Sequence, residues 1–147
     1  ADMNFTAVDY QIGAVSLANK NCQNLGLANV AIFQSDWFDS VQLTDNHFDL
    51  IVSNPPYISA NDPHLQQGDV RYEPNSALVS GVDGLDDLKK IITKSPCYLR
   101  SDGWLLLEHG FDQGPAVVRL MIEAGFQKVV THKDYNQIDR VTLGQWV

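Results

Sequence analysis

The chain lacks the spacings that mark a metal site. Its four histidines, His47, His64, His109 and His132, are scattered, and its two cysteines, Cys22 and Cys97, form no C-x-x-C pair. No metal is therefore expected, and the cysteines read as small buried residues or free thiols in a reducing cytoplasm. No apolar run approaches membrane-spanning length and no signal-peptide pattern is present, so no membrane partner is expected. Basic residues are scarce: 10 Lys and Arg stand against 18 Asp and Glu, for a net charge of -8. The pI is about 4.7. That balance opposes binding to a phosphate backbone, which needs a basic face. It suits a protein or small-molecule substrate, and no direct nucleic-acid partner is expected. Repeats, low-complexity segments and interdomain linkers are also missing. The 147 residues read as one domain, with enough chain for a core.

What is present alternates. Phe5-Thr6-Ala7-Val8 is β-prone and ends in Asp9. Ile12, Val15, Ala18, Cys22 and Leu25 recur at helical spacing until Gly26, a favoured helix stop. Val30 to Phe33 reads as a second strand ending near Asp36-Trp37, and Phe48 to Ser53 as a third, buried and parallel. From Tyr57 to Gly84 no period is sustained. A stretch that long inside a domain is functional or disordered, and its Leu65, Val70, Tyr72, Leu78 and Val79 argue for an ordered cover. A helix follows with Leu88, Ile91 and Ile92 on one face, closed by Pro96. Trp104 to Leu107 is another buried strand, ending at Glu108-His109-Gly110. Asp112 is the expected N-cap of a helix with Pro115 in its first turn and Val118, Met121 and Ile122 along it. Strands near 127–132 and 140–146 close the chain and, joined by a short connection, should be antiparallel. Alternation of this kind predicts an α/β fold, mainly parallel, with helices on both faces.

The third strand runs into Asn54-Pro55-Pro56-Tyr57. Each proline fixes its φ and lacks an N–H, and the residue before each is pushed out of the helical region. The result is a stiff turn at the C-terminal end of a strand, where open α/β sheets bind ligands. The Asn54 side-chain oxygen and the Pro55 carbonyl are two fixed acceptors for both hydrogens of one planar –NH2 group, on whose face Tyr57 can stack. The bland alternative is a Pro-Pro turn with a surface tyrosine.

Asp9, at the end of the first strand, fits an acid that takes ribose hydroxyls, or else a capping acid for the next helix. Asp36 fits an acceptor for an adenine amino group with Trp37 packed on the ring, or else an N-cap beside a core tryptophan. Glu108 and His109 fit a general base or a satisfied structural pair. Glu73 fits a brace for the site or a simple turn. A ribose acid normally follows a Gly-rich loop by about 20 residues. Only eight residues precede Asp9, so the loop and the strand feeding it are expected before Ala1.

Strand–Asp9, strand–Asp36-Trp37 and strand–Asn54-Pro55-Pro56-Tyr57 together resemble a class I S-adenosylmethionine-dependent methyltransferase. Further segments narrow this to the HemK/PrmC family, the glutamine N5-methyltransferases of peptide chain release factors. They are Ser53 to Ile58, Asp62-Pro63-His64-Leu65, Arg71-Tyr72-Glu73-Pro74, Ala77-Leu78, Gly81, Gly84-Leu85, Leu105 to Gly110, Asp134-Tyr135 and Arg140 to Gly144. The resemblance implies a Rossmann-like sheet whose C-terminal strand pair is antiparallel, lacking here its first strand and glycine loop. It implies a catalytic domain over residues 1–147, without the family's helical N-terminal domain, acting in the cytoplasm. It implies S-adenosylmethionine as cofactor, bound by Asp9, Asp36, Trp37 and Asn54. The glutamine of a Gly-Gly-Gln loop would be held by Asn54, Pro55, Pro56 and Tyr57, with Asn54, Pro55 and Tyr57 serving the reaction. The isolated residues 1–147 are expected to transfer methyl weakly or not at all. The same turn occurs in nucleic-acid amino-methyltransferases, which gives one alternative. A non-catalytic release-factor-binding segment is the other.

Overall fold

The computed structural model describes residues 3–40, 48–66, 72 and 74–147. His47, Gly68, Val70, Arg71 and Glu73, singled out from the sequence, lie outside them. The chain divides into two units, Ala1–Asn46 and His47–Val147.

In the first unit, β1 (Phe5–Asp9), α1 (Ile12–Leu25) and β2 (Val30–Gln34) form one βαβ crossover. The strands pair in parallel from Phe5↔Val30 to Asp9↔Gln34, as a two-stranded sheet. Gly26 stops α1 as expected. Its φ of 66° is left-handed, and Leu27 N–H donates to Cys22 O at 3.0 Å, closing orphan carbonyls of the last turn. Burial here is thin. Val15 is the one buried residue of α1, every residue of β1 is exposed, and Ile12 and Leu25 of the expected stripe lie open.

The second unit carries β3 (Phe48–Ser53), α2 (Asp86–Lys94), β4 (Leu99–Glu108), α3 (Gly114–Glu123), β5 (Gln127–Lys133) and β6 (Asp139–Gln145). The strand order is β3-β4-β6-β5. β3 and β4 are parallel, while β6 runs antiparallel to both β4 and β5, so the expected C-terminal pair is present. α2 and α3 touch each other, and α3 packs on β5 and β6. Leu105 and Leu107 of β4 point into this layer with Leu88, Ile91, Ile92, Val117 and Met121, all essentially inaccessible. Full burial of one such side chain stabilises by about 1.5–3 kcal/mol. Phe126 closes the edge against Trp146, ring centroids 5.6 Å apart. On the other face of β3, Leu50 and Val52 are exposed.

Three local expectations are corrected. The N-cap of α3 is Gln113, not Asp112, because Gly110 O takes the Gln113 N–H at 3.0 Å and the turn closes one residue later. The buried face of α3 is consequently Gly114, Val117 and Met121, whereas Ile122 is exposed. Of the two readings of the cysteines, burial is overturned and the free thiol stands: Cys22 is half-exposed, Cys97 is exposed, and both are free. Pro96 ends α2 as anticipated, in a 3-10 turn over Ser95–Cys97.

Candidate functional site

The turn after β3 is rigid for identifiable reasons. Pro55 is buried, Pro56 and Tyr57 are half-buried, and Asn54 is exposed, so the turn is anchored at one end and offers its amide at the other. Beyond it the chain pairs with the far end of the long connection. Ile58 N–H donates to Leu78 O (2.8 Å), Ser80 N–H to Ile58 O (3.0 Å) and Ala60 N–H to Gly81 O (2.9 Å). These bonds tie the described ends of that connection to each other.

Tyr57 is held at both ends. Its hydroxyl donates to Glu108 Oε1 at 3.3 Å, a long contact from the end of β4. Its carbonyl accepts from Gln113 Nε2 at 2.9 Å. Burial pushes the phenol above its usual 10.0, the Glu108 carboxylate adds to this, and the Arg140 guanidinium opposes it. Gly84 lies against the Tyr57 carbonyl; with φ of 74°, it has no room for a Cβ.

His109 is structural. It is fully buried, its Nδ1 lies 2.8 Å from Gly110 O and its Nε2 2.9 Å from Thr142 Oγ1. A carbonyl can only accept, so Nδ1 carries a proton. With the ring neutral, Thr142 donates to Nε2 and itself accepts from Thr131, 2.8 Å away. That chain satisfies every partner and leaves no base for substrate. Among the described residues no His, Cys, Asp and Glu group could hold a metal.

In the first unit, a depression of about 290 Å³ is lined by Tyr10, Gln34, Ser35, Asp36, Asp39 and Ser40. Its wall is knit by buried Ser35, whose hydroxyl donates to Trp37 O (2.9 Å) and accepts from Ser40 N–H (2.9 Å). The bend puts Trp37 at φ 52°, a strained region for a bulky residue and one that gathers at ligand sites. Asp36 is exposed and Trp37 half-buried. Exposed Asp9 stands at the end of β1, and its Oδ1 accepts from Gln11 N–H at 2.7 Å. That bond closes a local turn ahead of α1, whose N-cap is Gln11 with no side-chain cap, so Asp9 is not the helix's capping acid. The structure places Asp36 on this depression, with Asp9 one residue before Tyr10 of its lining, and holds Pro55 and Tyr57 with Asn54 in the turn.

Sequence reasoning missed Gln113, Ser35, Tyr10 and the Tyr57–Glu108 bond. Glu108 was findable, since it ends a strand parallel to the one feeding Tyr57. Gln113 carried no signal once Asp112 was read as the cap.

A family model described as a methyltransferase domain matches residues 1–113. The chain belongs to this family. A release factor glutamine methyltransferase of Yersinia pestis is 53% identical to this methyltransferase chain over 140 residues, 95% of this chain and 50% of the relative. One from Pseudomonas aeruginosa is also 53% identical, covering 96% of this chain and 50% of the relative. The chain thus spans about half the length of these curated relatives. In fold it resembles a solved methyltransferase from Pyrococcus furiosus, with a TM-score of 0.68, 15% identity and coverage of 97% and 62%. It also resembles a release factor-specific protein-(glutamine-N5) methyltransferase from Alicyclobacillus acidocaldarius, with a TM-score of 0.53, 24% identity and coverage of 99% and 81%.

A methyltransferase domain implies S-adenosylmethionine as cofactor, and the groups present suit it. The depression beside Asp36 presents carboxylates and a tyrosine, acceptors for amino and hydroxyl hydrogens. No helix among the described residues is long and apolar enough to cross a membrane.

Proposed function

We propose that the protein transfers a methyl group from S-adenosylmethionine to the side-chain amide nitrogen of the glutamine in the Gly-Gly-Gln loop of peptide chain release factors. The reading rests above all on the Asn54-Pro55-Pro56-Tyr57 turn, whose exposed amide and pinned tyrosine end a strand of the packed unit. The names of the relatives support the same substrate, as does the net charge of -8, which favours protein over nucleic acid. The cytoplasm, where release factors work, is the proposed location.

The cofactor, when bound, supplies an electrophilic sulfonium methyl. Asp9, Asp36 and Trp37 would hold its adenosine part, and Asn54 would serve both cofactor and target. The amide nitrogen is a poor nucleophile because its lone pair is delocalised; it would gain positive charge as its bond to the methyl carbon forms and the carbon–sulfur bond breaks, the sulfur leaving as a neutral thioether. Asn54 Oδ1 and the Pro55 carbonyl accept its two hydrogens and stabilise that charge, an inverse of oxyanion-hole logic. The Pro56 ring stiffens the turn and the Tyr57 ring covers the flat amide. Positioning of this kind supplies roughly 7–11 kcal/mol in well-oriented reactions. No strong base is needed, since the proton leaves after transfer.

Incubation of the full-length protein with release factor and isotopically labelled S-adenosylmethionine tests this. Label on the Gly-Gly-Gln glutamine, found by peptide mass spectrometry, is the expected result. Label on DNA or ribosomal RNA, with none on release factor, would reverse the assignment.

A further inference from the structure

We propose that Gln113 is a positioning residue for the amide-gripping turn, acting through Tyr57. Gln113 occupies the N-cap position of α3, yet its side chain makes no bond to its own helix. It is spent on three loops instead. Its Oε1 accepts from Gly110 N–H at 2.8 Å, and its Nε2 donates to Tyr57 O at 2.9 Å and, at 3.4 Å, to Gly84 O. One carboxamide thereby ties the segment after β3, the segment before α2 and the end of β4. Space is reserved for it: a Cβ on Gly84 would come within 2.8 Å of Nε2, and one on Gly110 within 3.0 Å of Oε1.

The consequence concerns orientation. The Tyr57 carbonyl is the last acceptor of the turn, and fixing its peptide plane fixes where the ring projects. Glu108 holds the far end of that ring by a longer, weaker bond of 3.3 Å. Without the Nε2 donor, the Tyr57 carbonyl loses this partner, and the turn keeps its proline stiffness, the long Glu108 bond and the pairing of Ile58 with Leu78 and Ser80. This rests on the proposed amide-methyltransferase reading. Misplacement by about 1 Å costs on the order of 100-fold in rate, so the loss belongs in kcat.

The test compares wild type with Q113E and Q113L in the full-length protein. Q113E is nearly isosteric; it keeps the acceptor for Gly110 N–H and removes the donor to Tyr57. Two readouts are taken: kcat and KM for methyl transfer to release factor, and the carbonyl carbon resonance of Tyr57 by NMR without substrate. The expected result for Q113E is an upfield Tyr57 carbonyl, kcat lowered at least about tenfold and KM for release factor nearly unchanged. A merely structural role would lower the folded fraction and leave kcat per folded molecule intact. An unmoved carbonyl in Q113E, or a moved carbonyl with wild-type kcat, overturns the proposal. Should Q113L fail to fold, Q113E decides alone. Wild type that methylates no release factor would sink the substrate reading instead, and the carbonyl resonance would still decide whether Gln113 sets Tyr57.

Discussion

In residues 47–147 the strands and helices close on Leu88, Ile91, Ile92, Leu105, Leu107, Val117 and Met121, whereas in residues 1–46 a crossover of the same kind buries Val15 and little else of its helix. Both units obey the same local rules. Each has parallel pairing, a helix at 3.6 spacing and a defined stop. They differ in how much apolar surface has somewhere to go. Local pattern builds elements, and only a second layer makes them stable. The difference also divides the chemistry. The turn proposed to grip an amide belongs to the packed unit, while the acids proposed for a nucleoside cofactor belong to the thin one.

Core truncation probes that contrast most strongly. Leu105→Ala or Met121→Ala should lower unfolding free energy by about 2–5 kcal/mol. Val15→Ala should cost about 1–2 kcal/mol, by the methylenes it removes. Denaturant titration of each variant checks this, and equal losses would erase the distinction. Amide hydrogen exchange sharpens it further. β4 and β6 should exchange on the order of 100-fold more slowly than β1 and β2, because thinly buried segments open locally at low free energy. Matching protection would mean that the exposed first unit is as cooperative as the second.

A related expectation concerns the cofactor. The acids sit on a unit with little core, so residues 1–147 alone should bind S-adenosylmethionine weakly, with Kd above about 100 μM, since ordering the site opposes binding. Calorimetry measures this directly, and low-micromolar binding would show the thin unit to be already organised. Gly26→Ala should cost the first unit about 1 kcal/mol, because a left-handed φ of 66° penalises any Cβ. Circular dichroism melts report it.

The smallest effect is electrostatic. The Tyr57 phenol has a folded pKa above 10.0, first through burial and then through Glu108. A group raised in the folded state gives stability that is fully present below the unfolded value and lost as pH rises through the folded one. Stability should therefore decline from about pH 10 upward. Glu108→Gln should bring ionisation back toward 10, by less than the full shift, because burial remains. Tyrosinate absorbance on a pH titration follows it.

Much of this was readable beforehand. Among the described residues, the order of the six strands and three α-helices followed from periodicity, and Gly26 and Pro96 stopped their helices where backbone chemistry requires. Helix ends were less accessible. Asp112 is the better capping residue by type, but Gln113 takes the position, and its side chain serves neighbouring Gly110 and, far off in sequence, Tyr57. Ser35 was missed for a different reason: its hydroxyl organises a bend by short-range bonds to Trp37 and Ser40, and nothing in the sequence sets it apart from other serines that can do the same. The turn at Asn54 could be read because proline geometry is local. What fixes Tyr57 could not, because it is tertiary.

The central claim is that the Asn54 side-chain oxygen and the Pro55 carbonyl hold a carboxamide by its two hydrogens during methyl transfer. Single-turnover methylation of release factor by Asn54→Ala in the full-length protein, with fold checked by melting, tests it most directly. The account predicts a rate lower by on the order of 100–1,000-fold, as for loss of one preorganised polar partner, with the melt unchanged. Near-wild-type methylation by that variant would contradict it.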